Sequence, residues 1–232
     1  MTPVLGGEFA SRHTGAFALL AGLRPDPEIT VSEWADRERI VTTGPRKGLA
    51  WITDIAPYQR EVMDCLSTQS DVGHVVVCKA AQLGFSEIAV NWIGYVVAHA
   101  PADMIYLMPS DSARRTISRK RIAPLFEGRM LRGSVPKKHS AAGNTVVLKE
   151  FPGGSVTIAN AQSAADLRST TAKYLIRDEI DVYPTDVDNE GDPAELAERA
   201  LMTFGMQRKI YDLSTPTIKG RSRIWAAYEE TD

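Results

Sequence analysis

The feature that most constrains this chain is the alternation of short apolar runs with longer helical segments after residue 74. His74–Cys78 consists of His-Val-Val-Val-Cys, and Met104–Met108 consists of Met-Ile-Tyr-Leu-Met before Pro109. Continuous apolar runs of this length are typical of strands buried on both faces of a parallel sheet. Residues 86–98, between them, have the length and apolar content of a helix. The pattern predicts an α/β fold with a mostly parallel sheet and right-handed crossovers.

The rest of the chain continues this plan. Residues 145–151 and 155–159 flank Pro152-Gly153-Gly154, which predicts a hairpin. Further strands are expected at residues 174–176 and 210–213, and helices at 30–35, 58–66, 193–202 and 222–230. Ser110 can cap another helix, which carries the basic residues from Arg114 to Arg121. Residues 1–27 are weakly patterned and end in two helix-breaking prolines, so we interpret them as an N-terminal arm that precedes one domain, residues 28–232.

Charge is distributed unevenly along the chain. The net charge is −2 over 232 residues, so the whole chain has no nucleic-acid signature. Residues 112–138 nevertheless contain a single acid, Glu127, and nine basic residues: Arg114, Arg115, Arg119, Lys120, Arg121, Arg129, Arg132, Lys137 and Lys138. Residues 178–198 contain nine acids and neither Lys nor Arg. This separation fits a polyanion bound on one face and a cation elsewhere. It fits two solvated faces equally well.

Composition excludes several classes of protein. Every apolar stretch is interrupted by charge or glycine well before 18 residues, so no transmembrane helix is expected. The N-terminus lacks the basic start and apolar core of a secretory signal. Two cysteines are too few for a disulfide framework, and the four histidines show no metal-ligand spacing with them. A reducing, cytoplasmic setting fits best.

The segment Lys79-Ala80-Ala81-Gln82-Leu83-Gly84-Phe85-Ser86 lies between a predicted strand and a predicted helix. A phosphate-binding loop belongs at this position, because the helix N-terminus presents free N–H groups. The standard loop has Gly at its first position and Lys before the final hydroxyl residue. Here Lys79 occupies the first position and Phe85 the Lys position, whereas Gly84 and Ser86 match. An ordinary strand-turn-helix with a surface lysine is an equally good interpretation of this segment alone.

Two other strands deliver polar residues at their ends. Lys173-Tyr174-Leu175-Ile176-Arg177-Asp178-Glu179 places two adjacent carboxylates after an apolar strand, at the edge where α/β sheets bind ligands. An Asp there can hold Mg²⁺, and a neighbouring Glu can deprotonate water. Asp212-Leu213-Ser214-Thr215-Pro216-Thr217 places hydroxyl groups at the end of another strand. Each segment alone also fits a polar surface turn.

In this order along one chain, the three segments resemble the large subunit of tailed-phage terminases, in the lambda-like branch. The resemblance covers about residues 28–230. Residues 30–35, Thr-Val-Ser-Glu-Trp-Ala, are similar to the opening segment of that branch, and residues 56–60, Ala-Pro-Tyr-Gln-Arg, to its adenine-contacting segment. The other matches are to its deviant Walker A loop, its Walker B strand and its coupling motif: residues 79–86, 175–179 and 214–216.

The resemblance implies a P-loop NTPase with a mostly parallel sheet sandwiched by helices. It implies an ATPase motor domain at residues 28–232 that uses ATP and Mg²⁺ to move double-stranded viral DNA into a procapsid. It also implies the roles of individual residues. The nucleotide would be bound by Tyr58 and Gln59, at the adenine by stacking and amide hydrogen bonds, and by the loop residues Lys79, Ala80, Ala81, Gln82, Leu83, Gly84, Phe85 and Ser86.

Within that set, Lys79 would bind the β- and γ-phosphates, and Ser86 and Asp178 would hold Mg²⁺. Glu179 would be the catalytic carboxylate, and Ser214 and Thr215 would couple hydrolysis to movement. Related loops often contain an arginine that acts on the phosphates, and none lies between Lys79 and Ser86. We therefore expect Arg168, upstream of the Walker B strand, to supply that charge, with an ordinary surface arginine as the alternative.

A motor that moves along any sequence must hold backbone phosphates, so the basic stretch is the expected DNA contact. Its central residues are Arg114, Arg115, Arg119, Lys120 and Arg121. In the alternative, these arginines face another subunit and supply charge to a neighbouring ATP site. The resemblance also implies double-stranded DNA, a terminase small subunit and the capsid portal as partners, a homo-oligomeric ring when assembled, no membrane, and a location in the cytoplasm of the bacterial host.

Family members carry a C-terminal nuclease domain, whereas this chain ends after the last ATPase helix, so DNA cutting is not expected from these residues. The chain is then an isolated domain, one part of a two-chain protein, or a truncated piece. Two other functions stay open. A superfamily 2-like helicase has similar motifs but needs a second ATPase-like domain. A non-catalytic remnant could bind nucleotide or DNA without turnover, although the presence of both Asp178 and Glu179 speaks against it.

Overall fold

A computed structural model of the chain describes residues 28–134, 143–168 and 170–231. The expected arm at residues 1–27 lies outside the described residues, as do Lys137 and Lys138 of the basic stretch.

The described part alternates helices and strands as the sequence predicts. In chain order the helices and strands are α1 (Val31–Glu38), α2 (Tyr58–Cys65), β1 (His74–Cys78), α3 (Phe85–His99), β2 (Met104–Met108), α4 (Asp111–Ile117), α5 (Ala123–Glu127), β3 (Leu148–Phe151), β4 (Gly154–Asn160), β5 (Tyr174–Asp178), α6 (Pro193–Arg199), β6 (Lys209–Ser214) and α7 (Arg223–Glu229). Short 3₁₀ turns cover Thr53–Ile55, Ala164–Asp166, Ile180–Val182 and Met202–Gln207.

Among the described residues, six strands form one sheet in the order β1-β6-β5-β2-β4-β3. All neighbouring pairs are parallel except β3 and β4, which form the predicted antiparallel hairpin. The predicted α/β fold with a mostly parallel sheet is therefore confirmed. Because β1, β6 and β5 are parallel neighbours, their C-terminal ends lie side by side at one edge of the sheet.

Two apolar clusters cover the two faces of the sheet. One face packs against α1 and α3, and its buried residues include Trp34, Trp92 and Ile176. The other packs against α6 and α7, and its buried residues include Leu175 and Ile224. Neighbouring residues of β5 therefore face opposite clusters, as the pleat of a strand requires. This confirms that helices sandwich the sheet.

Local signals set several element ends. Thr30 and Glu33 form the capping box that starts α1, and the Ser110 hydroxyl accepts a hydrogen bond from the Ala113 N–H at the start of α4. The helix predicted after Ser110 extends beyond Arg121, because α4 continues through a π-helical turn, Ser118–Ile122, into α5. The predicted helix at residues 193–202 is shorter, since α6 ends at Arg199.

Candidate functional site

The loop at residues 79–86 joins β1 to the 15-residue helix α3, at the edge where β1, β6 and β5 end. Its residues 80–84 are exposed, which leaves the loop open to solvent. Gln82 and Gly84 have φ values of 63° and 83°, in the left-handed region. A Cβ on Gly84 would also lie 2.8 Å from Gln59 Nε2, so the Gln59 side chain would have to shift. The positive φ is the reason that this position favours glycine. The backbone thus presents the N-terminus of α3 at the open edge of the sheet.

Lys79 and Glu179 meet across this edge, although they lie 100 residues apart in the chain. Lys79 Nζ is 2.7 Å from Glu179 Oε1. The Lys79 side chain is 6% exposed and the Glu179 side chain 39% exposed. Glu179 adopts the left-handed region, with φ 57° and ψ 47°, a conformation that costs a non-glycine residue free energy and is frequent at functional sites. The proposed phosphate-binding lysine and the proposed catalytic carboxylate are therefore in direct contact at this edge of the sheet.

Asp178, the last residue of β5, is buried beneath this pair. The Tyr106 hydroxyl on β2 donates a 3.0 Å hydrogen bond to Asp178 Oδ2. Asp178 Oδ1 is buried and has no hydrogen-bond partner in the described part of the chain. Burial raises the pKa of the Asp178 carboxyl, although the Tyr106 hydrogen bond and the nearby Ser86 hydroxyl oppose this effect. The site therefore holds a carboxylate oxygen whose negative charge is poorly compensated.

This arrangement fits Mg²⁺. The ion prefers oxygen ligands and usually binds to one or two protein oxygens together with phosphates and water. Asp178 Oδ1 and the neighbouring Ser86 hydroxyl supply such a set. In the described ranges, no group of three or more His, Cys, Asp or Glu residues could hold a metal ion.

Strand β6, which carries the predicted coupling residues, lies between β1 and β5. The Lys79 N–H donates to the Ser214 carbonyl at 3.0 Å, and the Glu179 N–H donates to the Leu213 carbonyl at 2.8 Å. The buried Ser214 hydroxyl accepts from the Asp181 N–H and donates to the Thr215 carbonyl. A shift of the end of β6 would therefore move the backbones of both Lys79 and Glu179.

Tyr58 and Gln59, the predicted adenine contacts, bind the loop itself. The Tyr58 hydroxyl donates to the Leu83 carbonyl at 3.1 Å, and Gln59 Nε2 donates to the same oxygen at 2.8 Å. Gln59 is buried and Tyr58 is half exposed. The Tyr58 ring lies 5.7 Å from the Phe85 ring. Both residues thus lie beside the loop, and their contact with adenine stays a prediction.

Arg168, the expected phosphate arginine, pairs elsewhere. Its Nε donates to Glu190 Oε2 at 2.8 Å, and its side chain is 60% exposed. It follows the 3₁₀ turn after β4, and three strands separate β4 from β1 in the sheet. In the described part of the chain it makes no contact with the loop, so its catalytic role stays a prediction that requires the Glu190 pair to break.

The five expected DNA contacts divide into two groups. Arg114 pairs with Asp111 and, at 2.6 Å, with Asp166, and Arg121 Nε lies 3.2 Å from Glu87 Oε1. The exposed Arg115 pairs with Asp111 at 2.5 Å. Arg119 and Lys120 are exposed, and their side chains make no hydrogen bond or ion pair with the described residues.

A comparison with known protein families identifies the family of this chain. The model of the family "Phage terminase large subunit gpA, ATPase domain" matches residues 46–232, which include every residue of the loop, the β5 end and the β6 end. The chain belongs to this terminase family. Membership confirms the resemblance on which the sequence interpretation was based, and it favours that interpretation over a helicase.

Two curated relatives are terminase large subunits. That of Escherichia phage lambda is 25% identical, with 95% of this chain and 34% of the relative covered. That of Enterobacteria phage P21 is 26% identical, with 96% of this chain and 35% of the relative covered. The chain therefore spans about a third of the length of the curated relatives it matches.

Two solved structures of the large terminase ATPase domain of Thermus phage P74-26 were also found. A mutant of that domain aligns at 15% identity and a TM-score of 0.49, with 72% of this chain and 67% of that chain covered. A second structure aligns at 16% identity and a TM-score of 0.42, with 62% and 61% covered.

Sequence reasoning missed three features of this terminase site. Tyr106 contacts Asp178, and its signal was a hydroxyl group within an otherwise aliphatic buried strand. Arg177 and Asp212 pair between β5 and β6, and their signal was opposite charges in two apolar strands. Glu87, next to Ser86, accepts hydrogen bonds from Arg39 and Thr43, and nothing in the sequence indicated this.

In the residues that the structure describes, no helix is both long and apolar enough to cross a membrane.

Proposed function

We propose that this chain is the motor domain of a phage terminase large subunit, which hydrolyses ATP to move double-stranded DNA into a procapsid. The observation that carries the proposal is the contact of Lys79 with Glu179 above the unpartnered Oδ1 of Asp178. A phosphate-binding lysine, a catalytic carboxylate and a metal-binding carboxylate are the groups that ATP hydrolysis needs, and the ends of β1 and β5, on either side of β6, bring them to one edge.

Each residue then has a distinct task. Lys79 exchanges Glu179 for the β- and γ-phosphates when nucleotide binds, because a phosphate carries more negative charge than one carboxylate. Glu179, released and exposed, takes a proton from the water that attacks the γ-phosphorus. Asp178 and Ser86 would hold Mg²⁺, which neutralises charge on the phosphates when it is bound. The oxygen that bridges the β- and γ-phosphorus atoms leaves with ADP, and the new bond joins the water oxygen to the released phosphate.

The coupling of hydrolysis to movement runs through β6 in this proposal. Ser214 and Leu213 accept hydrogen bonds from the backbones of Lys79 and Glu179. Separation of those two side chains by a phosphate would therefore change the positions of two strands that both bond to β6. The proposal also includes a terminase small subunit, the capsid portal and a homo-oligomeric ring as partners, in the cytoplasm of the bacterial host. That these residues do not cut DNA stays a prediction, which a plasmid nicking assay checks.

The test is steady-state ATP hydrolysis, with and without double-stranded DNA, for the unaltered chain and for Glu179→Gln. Gln keeps the shape of Glu but cannot take a proton, so turnover should fall by about 10²–10⁴-fold while nucleotide binding is retained. Glu195→Gln is the matched control, since Glu195 is exposed and lies on α6 away from the loop. Turnover of Glu179→Gln within about threefold of the unaltered chain would contradict the assignment.

A further inference from the structure

The fold creates an open cationic groove that the sequence did not indicate. The segment from Val41 to Gly48 folds back on itself, since the Gly48 N–H donates to the Val41 carbonyl and the Val41 N–H to the Leu49 carbonyl. This folded loop lies against the π-helical turn of the basic stretch. The groove between them is lined by Val41, Thr42, Thr43, Gly44, Lys47, Gly48, Arg119, Lys120 and Pro124.

The charges of this groove are available for an external partner. Lys47, Arg119 and Lys120 are exposed and make no side-chain hydrogen bond or ion pair with the described residues. The groove lining contains three cations and no carboxylate. Arg114 and Arg121 differ, because carboxylates of the protein already hold them. Of the basic stretch near this groove, Arg119 and Lys120 are thus the residues free to bind a polyanion, and Lys47 adds a third cation from 72 positions earlier in the chain.

The lining also indicates the kind of polyanion. It contains no aromatic ring on which a base could stack and no amide side chain that could read a base edge. Flexible cations bind phosphate oxygens and carry no sequence information. An open groove of this composition fits the phosphodiester backbone of duplex DNA, independent of sequence.

Both walls of the groove are joined to the nucleotide loop by Glu87. This residue follows Ser86 in the first turn of α3. Its carboxylate accepts a 3.1 Å hydrogen bond from the Thr43 hydroxyl of one wall, and it lies 3.2 Å from Nε of Arg121, which follows Lys120 in the other. Nη2 of the buried Arg39 also lies 2.9 Å from Glu87 Oε2. A ligand that pulls the two walls together would therefore act on the start of the helix that carries Ser86.

We propose that the groove formed by Lys47, Arg119 and Lys120 binds the DNA backbone, and that Glu87 transmits this binding to the nucleotide loop. The inference rests on the proposed motor function, since it names the place where that motor holds its DNA. Lys47 is the diagnostic residue, because it lies outside the basic stretch and shares only the groove with Arg119 and Lys120.

The experiment measures binding of a mixed-sequence DNA duplex to the 232-residue chain by fluorescence anisotropy across a salt series. Each lost phosphate contact lowers the slope of log affinity against log salt by about 0.9. Lys47→Glu should therefore weaken binding by about tenfold near 0.1 M salt and reduce the slope by about one. The double variant Arg119→Glu/Lys120→Glu should reduce the slope by about two. Lys219→Glu makes the same charge change at another exposed lysine and should leave the slope unchanged.

ATP hydrolysis by the same proteins separates this inference from the proposed function. The groove variants should keep DNA-independent hydrolysis and lose its stimulation by DNA. If Lys47→Glu and Lys219→Glu bind DNA equally well, or if the unaltered chain fails to bind DNA at low salt, the groove is not a DNA site even though ATP is hydrolysed. If the unaltered chain binds DNA through Lys47 but never hydrolyses ATP, the groove stands as a DNA site and the motor function fails.

Discussion

Asp178 and Asp212 are both buried, on the adjacent strands β5 and β6, yet their surroundings are opposite. Asp212 accepts two hydrogen bonds of 2.6 Å from Arg177 and lies 2.7 Å from His74 Nε2. Burial alone would raise the pKa of Asp212, but Arg177 and His74 hold it below its ordinary value. Asp178 has the Tyr106 hydroxyl on one oxygen and no partner on the other, and burial raises its pKa.

The difference separates a structural carboxylate, Asp212, from the proposed metal-binding carboxylate, Asp178. A buried charge is tolerated when it is paired and fully hydrogen-bonded. Asp212 meets that condition inside the chain, because Arg177 lies directly opposite it in the β5–β6 register. Asp178 does not meet it, so the protein carries an electrostatic cost at this position that a bound cation would remove. The two faces of this sheet edge therefore differ: one carries the structural ion pair of Arg177 with Asp212, and the other carries Asp178, the proposed metal ligand.

The largest expected effect comes from loss of the buried ion pair between Arg177 and Asp212. Arg177→Met should lower the free energy of unfolding by about 3–5 kcal/mol, because it leaves Asp212 buried without its main partner. Urea denaturation at neutral pH measures the change. Arg115→Met removes an exposed ion pair and should cost at most about 1 kcal/mol. The double variant Arg177→Met/Asp212→Leu should recover much of the loss, and a double variant as unstable as Arg177→Met would refute the role of pairing.

A smaller loss is expected from Tyr106→Phe, which removes the 3.0 Å hydrogen bond to Asp178 Oδ2. A hydrogen bond to a charged acceptor contributes about 1.5–3 kcal/mol, compared with about 0.5–1.5 kcal/mol for a neutral acceptor. Tyr183→Phe is the matched control, because the buried Tyr183 hydroxyl donates to the neutral Leu107 carbonyl at 2.8 Å. The Tyr106 variant should also weaken Mg²⁺-dependent binding of a fluorescent ATP analogue, whereas the control should not. Equal effects of the two substitutions would make Tyr106 a packing residue only.

The smallest effect on stability, and one of opposite sign, is expected from Asp178→Asn. The raised pKa means that the folded protein binds the Asp178 proton more tightly than the unfolded chain does. The free energy of unfolding that this proton contributes is therefore lost as the pH rises from the unfolded pKa of Asp178 through its folded pKa. Asn has no such proton, and at pH 7 the variant should be as stable as the unaltered chain or more so.

Chemical denaturation at several pH values measures this difference, and loss of Mg²⁺-dependent nucleotide binding should accompany it. Asp212→Asn is the control: the lowered pKa of Asp212 contributes stability above its unfolded pKa, so this substitution should destabilise the protein at pH 7. If both Asn variants lost the same stability at pH 7, the contrast between the two carboxylates would be wrong.

The sequence by itself predicted the strands and helices, the hairpin and the three strand ends that carry Lys79, Asp178 and Ser214. These features depend on local patterns: apolar runs of strand length, helical periodicity, and turn residues at their ends. Helix ends were less accurate, as in the continuation of α4 through a π-helical turn, because packing rather than the residue pattern decides where such a helix stops.

Only the tertiary structure decided which of these residues meet. The sheet order places β6 between β1 and β5, and this order brings Lys79 within 2.7 Å of Glu179. It pairs Arg114 and Arg121 with carboxylates of the chain and leaves Arg119 and Lys120 beside Lys47. Lys47 and Arg119 are 72 positions apart and line one groove, and Lys79 and Glu179 are 100 positions apart and in contact. Both arrangements depend on strand order and helix packing, which a local pattern does not encode. The sequence therefore determined which chemical groups the chain carries, and the fold determined which of them remain unpaired and able to bind a ligand.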